Sequence, residues 1–146
     1  MVDAVQALTT ALYDRLEGDE ALAEAVGDHW QGPYLVPPVD APWPYLWHRL
    51  DTSEGADNAT RPATYTVEVW DYGETLARIW AIRARLIALL DLARVEVPGH
   101  GTARLWFNTE TVMPNEDRNV NTLALVFTVR YARAGEVRAI QATKGA

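Results

Sequence analysis

The stretch TYTVEVWDYGETLARIWAIRARLIALLDL, residues 64–92, changes its periodicity once, and the change decides the fold. Up to Trp70 the residues alternate. Tyr65, Val67 and Val69 fall on one side and Thr64, Thr66, Glu68 and Trp70 on the other, the two-residue period of a half-buried strand. From Gly73 onward apolar residues recur at intervals of three and four, which predicts a helix over roughly 73–92. Three carboxylates, Glu68, Asp71 and Glu74, sit at the switch. Asp71 followed by Glu74 has the spacing of an N-cap and its third-position acid, so capping accounts for both without any reaction. Glu68 belongs to the polar face of the strand.

The helix carries more apolar surface than one sheet needs. Ala77, Ala81, Ala84 and Ala88 form a narrow stripe flanked by Leu76, Trp80 and Ile87. Ile79, Leu86 and Leu90 continue the arc, and Ile82 and Leu89 widen it. Glu74, Arg78 and Arg85 form the evident solvent strip. A second surface, either the N-terminal helix or a neighbouring subunit, is expected to cover the remainder. Arg83 falls inside the apolar arc, as a snorkelling stem or as one half of an intersubunit ion pair with the acidic N-terminal part of the chain.

Working outward, Val5, Leu8, Leu12 and Leu16 predict an amphipathic helix over 3–17, and Asp19 opens a short helix through Val26 that Gly27 stops. Residues 27–44 hold five of the eight prolines and read as extended loop. Within it and just after it, Trp47 fits core packing, whereas Trp43, between prolines, suits a core or an interface equally. Residues 45–50 read as a strand, 51–62 as a polar link, and 63–70 as the strand before the long helix. Beyond that helix come strands at 93–97, 102–112 and 120–132, separated by the PGHG turn and a polar loop at 113–119. Odd positions Leu123 to Tyr131 form a continuous apolar face in the last strand. This order predicts an α+β fold: one domain over residues 1–133 with an antiparallel-rich, mixed sheet of four or five strands covered by helices on one face, then a flexible arm over 134–146.

With 146 residues there is room for one core. No apolar run is long enough to span a bilayer and no signal peptide opens the chain, so neither membrane nor secretion is expected. The absence of cysteine removes disulfides and thiolate chemistry and suits a reducing cytoplasm, or a particle assembled there. A net charge of −7 argues against general nucleic-acid binding. The charge is unevenly spread. Residues 1–60 hold eleven acids and two bases (−9), and residues 61–146 hold nine acids and eleven bases (+2). That split either steers one copy's acidic half to another copy's second half or only keeps the surface solvated. His29, His48 and His100 show no metal-ligand spacing, and there is no nucleophile motif or phosphate-cradling glycine loop. No catalytic residue, cofactor or metal is expected.

Taken together, VQALTTALYDRLEGDEALAEAVGDHW, then PWPYLWHRL, VEVWDYGETLARIWAIRARLIALL, RLWFNTE and ALVFTVRYA resemble the tail-completion or tail-terminator family of long-tailed bacteriophages over roughly residues 5–133. The resemblance rests on element order and on soft features such as DEALA after the first helix. It implies a virion subunit, made in the host cytoplasm, that forms a closed, six-fold ring on the tail tube. Such a ring ends tube polymerisation and meets the head-side connector while DNA passes through the lumen without specific binding. The implied partners are other copies of the chain, the tube protein and the connector protein. A head-to-tail ring needs two different complementary patches per subunit. Trp43, Trp80, Ile82, Arg83 and Leu89 are the expected subunit contacts. Two polar loops, 51–62 (Ser53, Glu54, Asp57, Asn58, Arg61) and 113–119 (Asn115, Glu116, Asp117, Arg118), are the expected axial contacts, ordered on docking. The competing readings are another connector or minor tail protein and, from a different class, a small cytoplasmic ligand-binding or enzymatic α+β domain.

Overall fold

The computed structural model describes residues 3–52 and 60–132. The first element, α1 (Ala4–Glu17), starts where Asp3 accepts a hydrogen bond from the Gln6 backbone N–H at 2.8 Å. It buries Leu8, Leu12 and Leu16 completely. Gly18 ends it, and Asp19 caps α2 (Glu20–Val26) through the Leu22 N–H at 2.9 Å. The proline-rich segment then runs along the outside of the sheet. The Tyr34 N–H donates to the Leu46 carbonyl at 2.8 Å and the His48 N–H donates to the Tyr34 carbonyl at 2.9 Å, so one residue covers part of a sheet edge.

The remaining elements are β1 (Tyr45–Thr52), β2 (Thr60–Tyr72), α3 (Ala77–Leu90), β3 (Arg94–Val97), β4 (Gly101–Met113) and β5 (Val120–Ala132). They make a five-stranded sheet in the order β1-β2-β5-β4-β3. All four strand pairings are antiparallel, and the parallel component among the described residues is the isolated Tyr34–Trp47 bridge. The α+β architecture is therefore as expected, with the three helices on one face. Tyr65, Val67 and Val69 of β2 and Leu123, Leu125, Phe127 and Val129 of β5 meet the buried side of the helices: Leu8, Leu12, Leu16, Leu22, Ile79, Ile82, Leu86 and Leu90. A register shift between Phe107 and Thr109 changes the parity of β4. Odd residues Leu105 and Phe107 face the core before it, and even residues Glu110 and Val112 share that side after it, opposite Leu125 and Leu123.

The switch region corrects the capping assignment. Strand β2 continues to Tyr72 because Asn121 and Val120 are there to pair with Asp71 and Tyr72, and α3 does not begin until Ala77. Its N-cap position is Leu76, with no side-chain cap. Asp71 is a buried strand residue whose two oxygens accept from Arg78 Nε (3.0 Å) and Nη2 (2.7 Å), and one also accepts from the Tyr72 N–H at 2.8 Å. Glu74 is exposed in the turn. Asp71 thus clamps the first turn of α3 from the strand side instead of capping its amides.

Residues 53–59 and 133–146 lie outside the described residues, and with them Ser53, Glu54, Asp57, Asn58 and the expected C-terminal arm. The backbone of Arg61 lies in β2, opposite Tyr131.

Candidate functional site

Helix α3 presents two different faces. Ile79, Ile82, Leu86 and Leu90 are buried, and Leu89 is half-buried against the same core. Ile82 is 0% exposed, so it cannot contribute to a subunit contact, and its assignment as one is corrected. The alanine stripe Ala77, Ala81, Ala84 and Ala88 lies in solvent, together with Leu76 (38% exposed) and Trp80 (47%). The N-terminal helices cover α3 on its other flank. There Arg85 holds both oxygens of Asp19 at 2.7 Å, and Arg15 donates to the Leu89 carbonyl at 3.0 Å. The excess apolar surface of α3 is therefore partly shared with the N-terminal helices and partly left open.

Arg83 also departs from expectation. It forms a two-pronged pair with Glu110 of the same chain, its Nη2 donating to Oε1 at 2.8 Å and its Nε to Oε2, and its guanidinium lies 5.8 Å from the Trp80 ring centre. The β4 register shift brings Glu110 to this side. The ion pair with the acidic N-terminal part belongs instead to Arg85, inside one subunit. Hydrogen bonding to Arg83 holds the Glu110 carboxyl below its ordinary pKa, and Arg85 does the same for Asp19. Replacing Asp19 by Ala removes the α2 cap and the half-buried partner of Arg85. The expected loss is about 1–2 kcal/mol by the cap alone, measured by urea denaturation at pH 7.

Next to Trp80, the outer edge of β4 is open. Strand β3 pairs only with residues 101–104, after which Leu105 N–H reaches the Ala93 carbonyl and Phe107 N–H reaches Asp91. Past that point no described strand covers β4, and Val112 is 64% exposed.

At the other edge lies an aromatic group. Trp43 (39% exposed) packs 5.2 Å from Tyr45 and 6.0 Å from Tyr72, and Tyr45 stacks on Trp70 at 6.1 Å with the rings 4° apart. Trp47 is half-buried on the helix-free face, not in the core as expected, and donates through Nε1 to the Leu35 carbonyl.

The loop 113–119 has its own internal order. The amide of Asn115 donates to the carbonyls of Met113 and Val120 and to the Thr122 hydroxyl at 3.0–3.2 Å. Asp117 accepts from the Asn119 N–H at 2.9 Å, and the Asn119 carbonyl accepts from Gly73 N–H at 2.8 Å. Asn115 is therefore a structural tie, contrary to the expectation that the loop orders only on docking. Glu116, Asp117 and Arg118 remain exposed.

A groove of about 420 Å³ lies between α1 and residues 31–35, with His48 among its lining residues. Its shape depends on Gly32. At φ +98° that residue sits so close to Tyr13 that an added Cβ would lie 2.6 Å from the ring. His48 is 1% exposed, its Nδ1 is 2.6 Å from the Tyr65 hydroxyl, and burial lowers its pKa to about 4. Burial also pushes the Tyr65 phenol well above its ordinary value. Glu68 is buried on the opposite face of the sheet, where desolvation raises its pKa against a hydrogen bond from Trp70 Nε1 at 3.1 Å. Two groups separated by the sheet cannot act on one bond, so the arrangement does not form an acid–base pair. Among the described residues no cluster of three or more His, Asp or Glu could hold a metal ion, and no helix is long and apolar enough to cross a membrane.

The sequence matches none of the curated proteins. In fold it is similar to a chain of a structure titled "Virion of native gene transfer agent (GTA) particle", at 24% identity and a TM-score of 0.72, covering 88% of this chain and 98% of that one. Residues 10–132 match the family described as tail completion protein gp17. That match takes in every strand and all but the first turns of α1, and the chain belongs to this family of phage structural tail proteins, components of the virion.

Proposed function

We propose that the protein forms a closed ring on the end of the phage tail tube, where it stops tube growth and receives the head-side connector. The observation that carries this reading is the family match across residues 10–132, nearly the whole described fold. The open surfaces support it. A head-to-tail ring requires two unlike patches on each subunit. The face of α3 around Trp80 lies beside the β4 edge, and the Trp43 aromatic group lies beside β1, at the opposite edge of the sheet. Arg83 borders the first patch, whereas Leu89 lies on the opposite side of α3, half-buried against the core. The link between β1 and β2 and the loop at 113–119, the latter through Arg118 and its acidic neighbours, are the contacts with tube and connector in this reading.

Negative-stain microscopy of the purified protein, alone and with tail-tube protein, tests the ring. Rings alone or capped tubes are the expected outcome. Tubes that keep growing in the presence of a monomer would overturn it. Deleting residues 53–59 is expected to leave rings intact and abolish capping; a deletion variant that restores full infectivity to a mutant lacking the protein would remove this loop from the docking surface.

A further inference from the structure

The face of the sheet away from the helices carries a row of arginines. Arg94 of β3 is directly opposite Arg104 of β4, and Arg104 is directly opposite Arg130 of β5. Directly opposed residues share a face, so the three guanidinium stems stand side by side, each about 5 Å from the next. Their sheet neighbours Val95, Ala103, Leu105 and Val129 are buried on the other side, which fixes the row on the helix-free face. All three are exposed. Among the described residues the ion pairs are Arg49–Asp51, Arg78–Asp71, Arg83–Glu110 and Arg85–Asp19, and none involves this row. Like charges directly opposite one another destabilise a sheet. Glu96, two residues from Arg94 on the same face, offsets part of the row's charge, and an anion from outside would relieve the rest.

The same chain displays the matching anion. Glu17 at the end of α1 and Glu20 and Glu24 on α2 are exposed, and none enters a described ion pair. Glu20 and Glu24, four apart on α2, stand about 5–6 Å from each other, close to the spacing of neighbouring arginines, and Glu17 ends the preceding helix. The two sets lie on opposite faces of the subunit, since α2 belongs to the helix layer. They also lie at the same end of it: α2 is tied to Arg85 near the C-terminal end of α3, and that helix leads through Asp91–Ala93 into Arg94. We infer that the acidic edge of α1 and α2 in one copy docks on the Arg94–Arg104–Arg130 row of the next, which rests on the ring reading and supplies its subunit contact. Beside the row, Trp106 (5.9 Å from Arg104) and Val126, both half-buried, offer apolar surface to the exposed alanines of α3, which lie in the same layer as α2. Phosphate is the other anion that could meet such a row. The acidic residues that dominate the first half of the chain disfavour a nucleic-acid partner, and the opposite charge of the exposed α1–α2 edge favours a second copy.

Two charge-reversed chains test this. One carries Arg94→Glu, Arg104→Glu and Arg130→Glu, and the other Glu17→Lys, Glu20→Lys and Glu24→Lys, both checked for unchanged circular dichroism. Self-association of each, by sedimentation at low salt with tail-tube protein added and omitted, is expected to fall at least ten-fold. An equimolar mixture is expected to associate again, because each chain keeps the partner surface the other needs, and to weaken with salt. Arginine variants that assemble like the unaltered chain overturn the inference and leave the ring intact. A mixture that fails to associate also overturns it. Arginine variants that assemble normally but lose retention of a duplex DNA fragment overturn it in favour of a phosphate-binding surface. Pairing in the mixture without closed rings from the unaltered protein would sustain this contact while removing the ring.

Discussion

Taking the protein from pH 7 to pH 4 is expected to cost about 3 kcal/mol through one side chain, His48. Its pKa of about 4 in the folded state compares with 6.5 for an ordinary imidazole, and that difference is equivalent to about 3 kcal/mol. The sign follows from proton uptake. Between pH 6.5 and 4 the unfolded chain holds a proton on His48 that the folded chain refuses, so stability falls as pH drops through this window. Burial is the cause, and geometry reinforces it: a neutral ring with its proton on Nε2 accepts from the Tyr65 hydroxyl at 2.6 Å, whereas a charged ring would turn that accepting nitrogen into a second donor. Glu68 works in the opposite direction. Its raised pKa means that the folded state takes up a proton more readily than the unfolded one, which returns some stability as pH falls through its own titration. Asp19 and Glu110, with lowered pKa values, lose their contribution only further down, as pH falls below the ordinary carboxylate range. Urea denaturation at half-unit steps from pH 7.5 to 3.5 separates the groups. A His48→Gln chain is expected to lose the slope between 6.5 and 4, and a Glu68→Gln chain to steepen it. An unaltered chain with flat stability across that window would show that His48 protonates freely in the folded state.

How much of this was legible in the sequence depended on whether one chain segment held the information. The alternation of Tyr65, Val67 and Val69, and of Leu123 to Tyr131, identified core-facing strand surfaces because period two is local. The end of β2 was misread because its last residues extend by pairing with β5, about fifty residues away in the sequence, and local spacing made Asp71 and Glu74 look like a cap. The register shift after Phe107 has no local signature in RLWFNTE, yet it decides which side Glu110 occupies and so where Arg83 finds its partner. The arginine row was invisible for the same reason: Arg94, Arg104 and Arg130 become neighbours only through strand register. His48 stands between Leu46 and Leu50 on the core-facing side of β1, but nothing in YLWHRL announces the Tyr65 hydroxyl that meets it. The loop 113–119 read as polar and open, whereas Asn115 closes it through contacts on both flanking strands.

Residues 80 and 82, which the helix pattern treats alike as interface candidates, are expected to behave oppositely on truncation. Ile82→Ala removes a side chain with no solvent exposure from between α3 and the sheet, and is expected to cost about 2–5 kcal/mol of folding stability. The upper part of that range applies if the cavity cannot collapse, because Ile79 and Leu86 on the same helix hold the backbone in place through their own burial. Trp80 is 47% exposed. Its ring lies 5.8 Å from the Arg83 guanidinium and lines a small apolar pocket with Leu76, Ile79, Val112 and Leu123. Trp80→Ala is expected to cost about 1–2 kcal/mol in the isolated chain, the scale of a half-buried ring and a partly solvated cation–π contact, since Arg83 keeps Glu110. If α3 meets a neighbouring copy, the order reverses for assembly. Trp80→Ala then lowers ring yield at full folding, whereas Ile82→Ala lowers yield only in proportion to the unfolded fraction. Thermal unfolding and sedimentation on the same samples give both quantities. A Trp80→Ala chain that folds and assembles like the unaltered protein would take α3 out of the subunit contact. An Ile82→Ala chain of unaltered stability would contradict the packing of the helix itself.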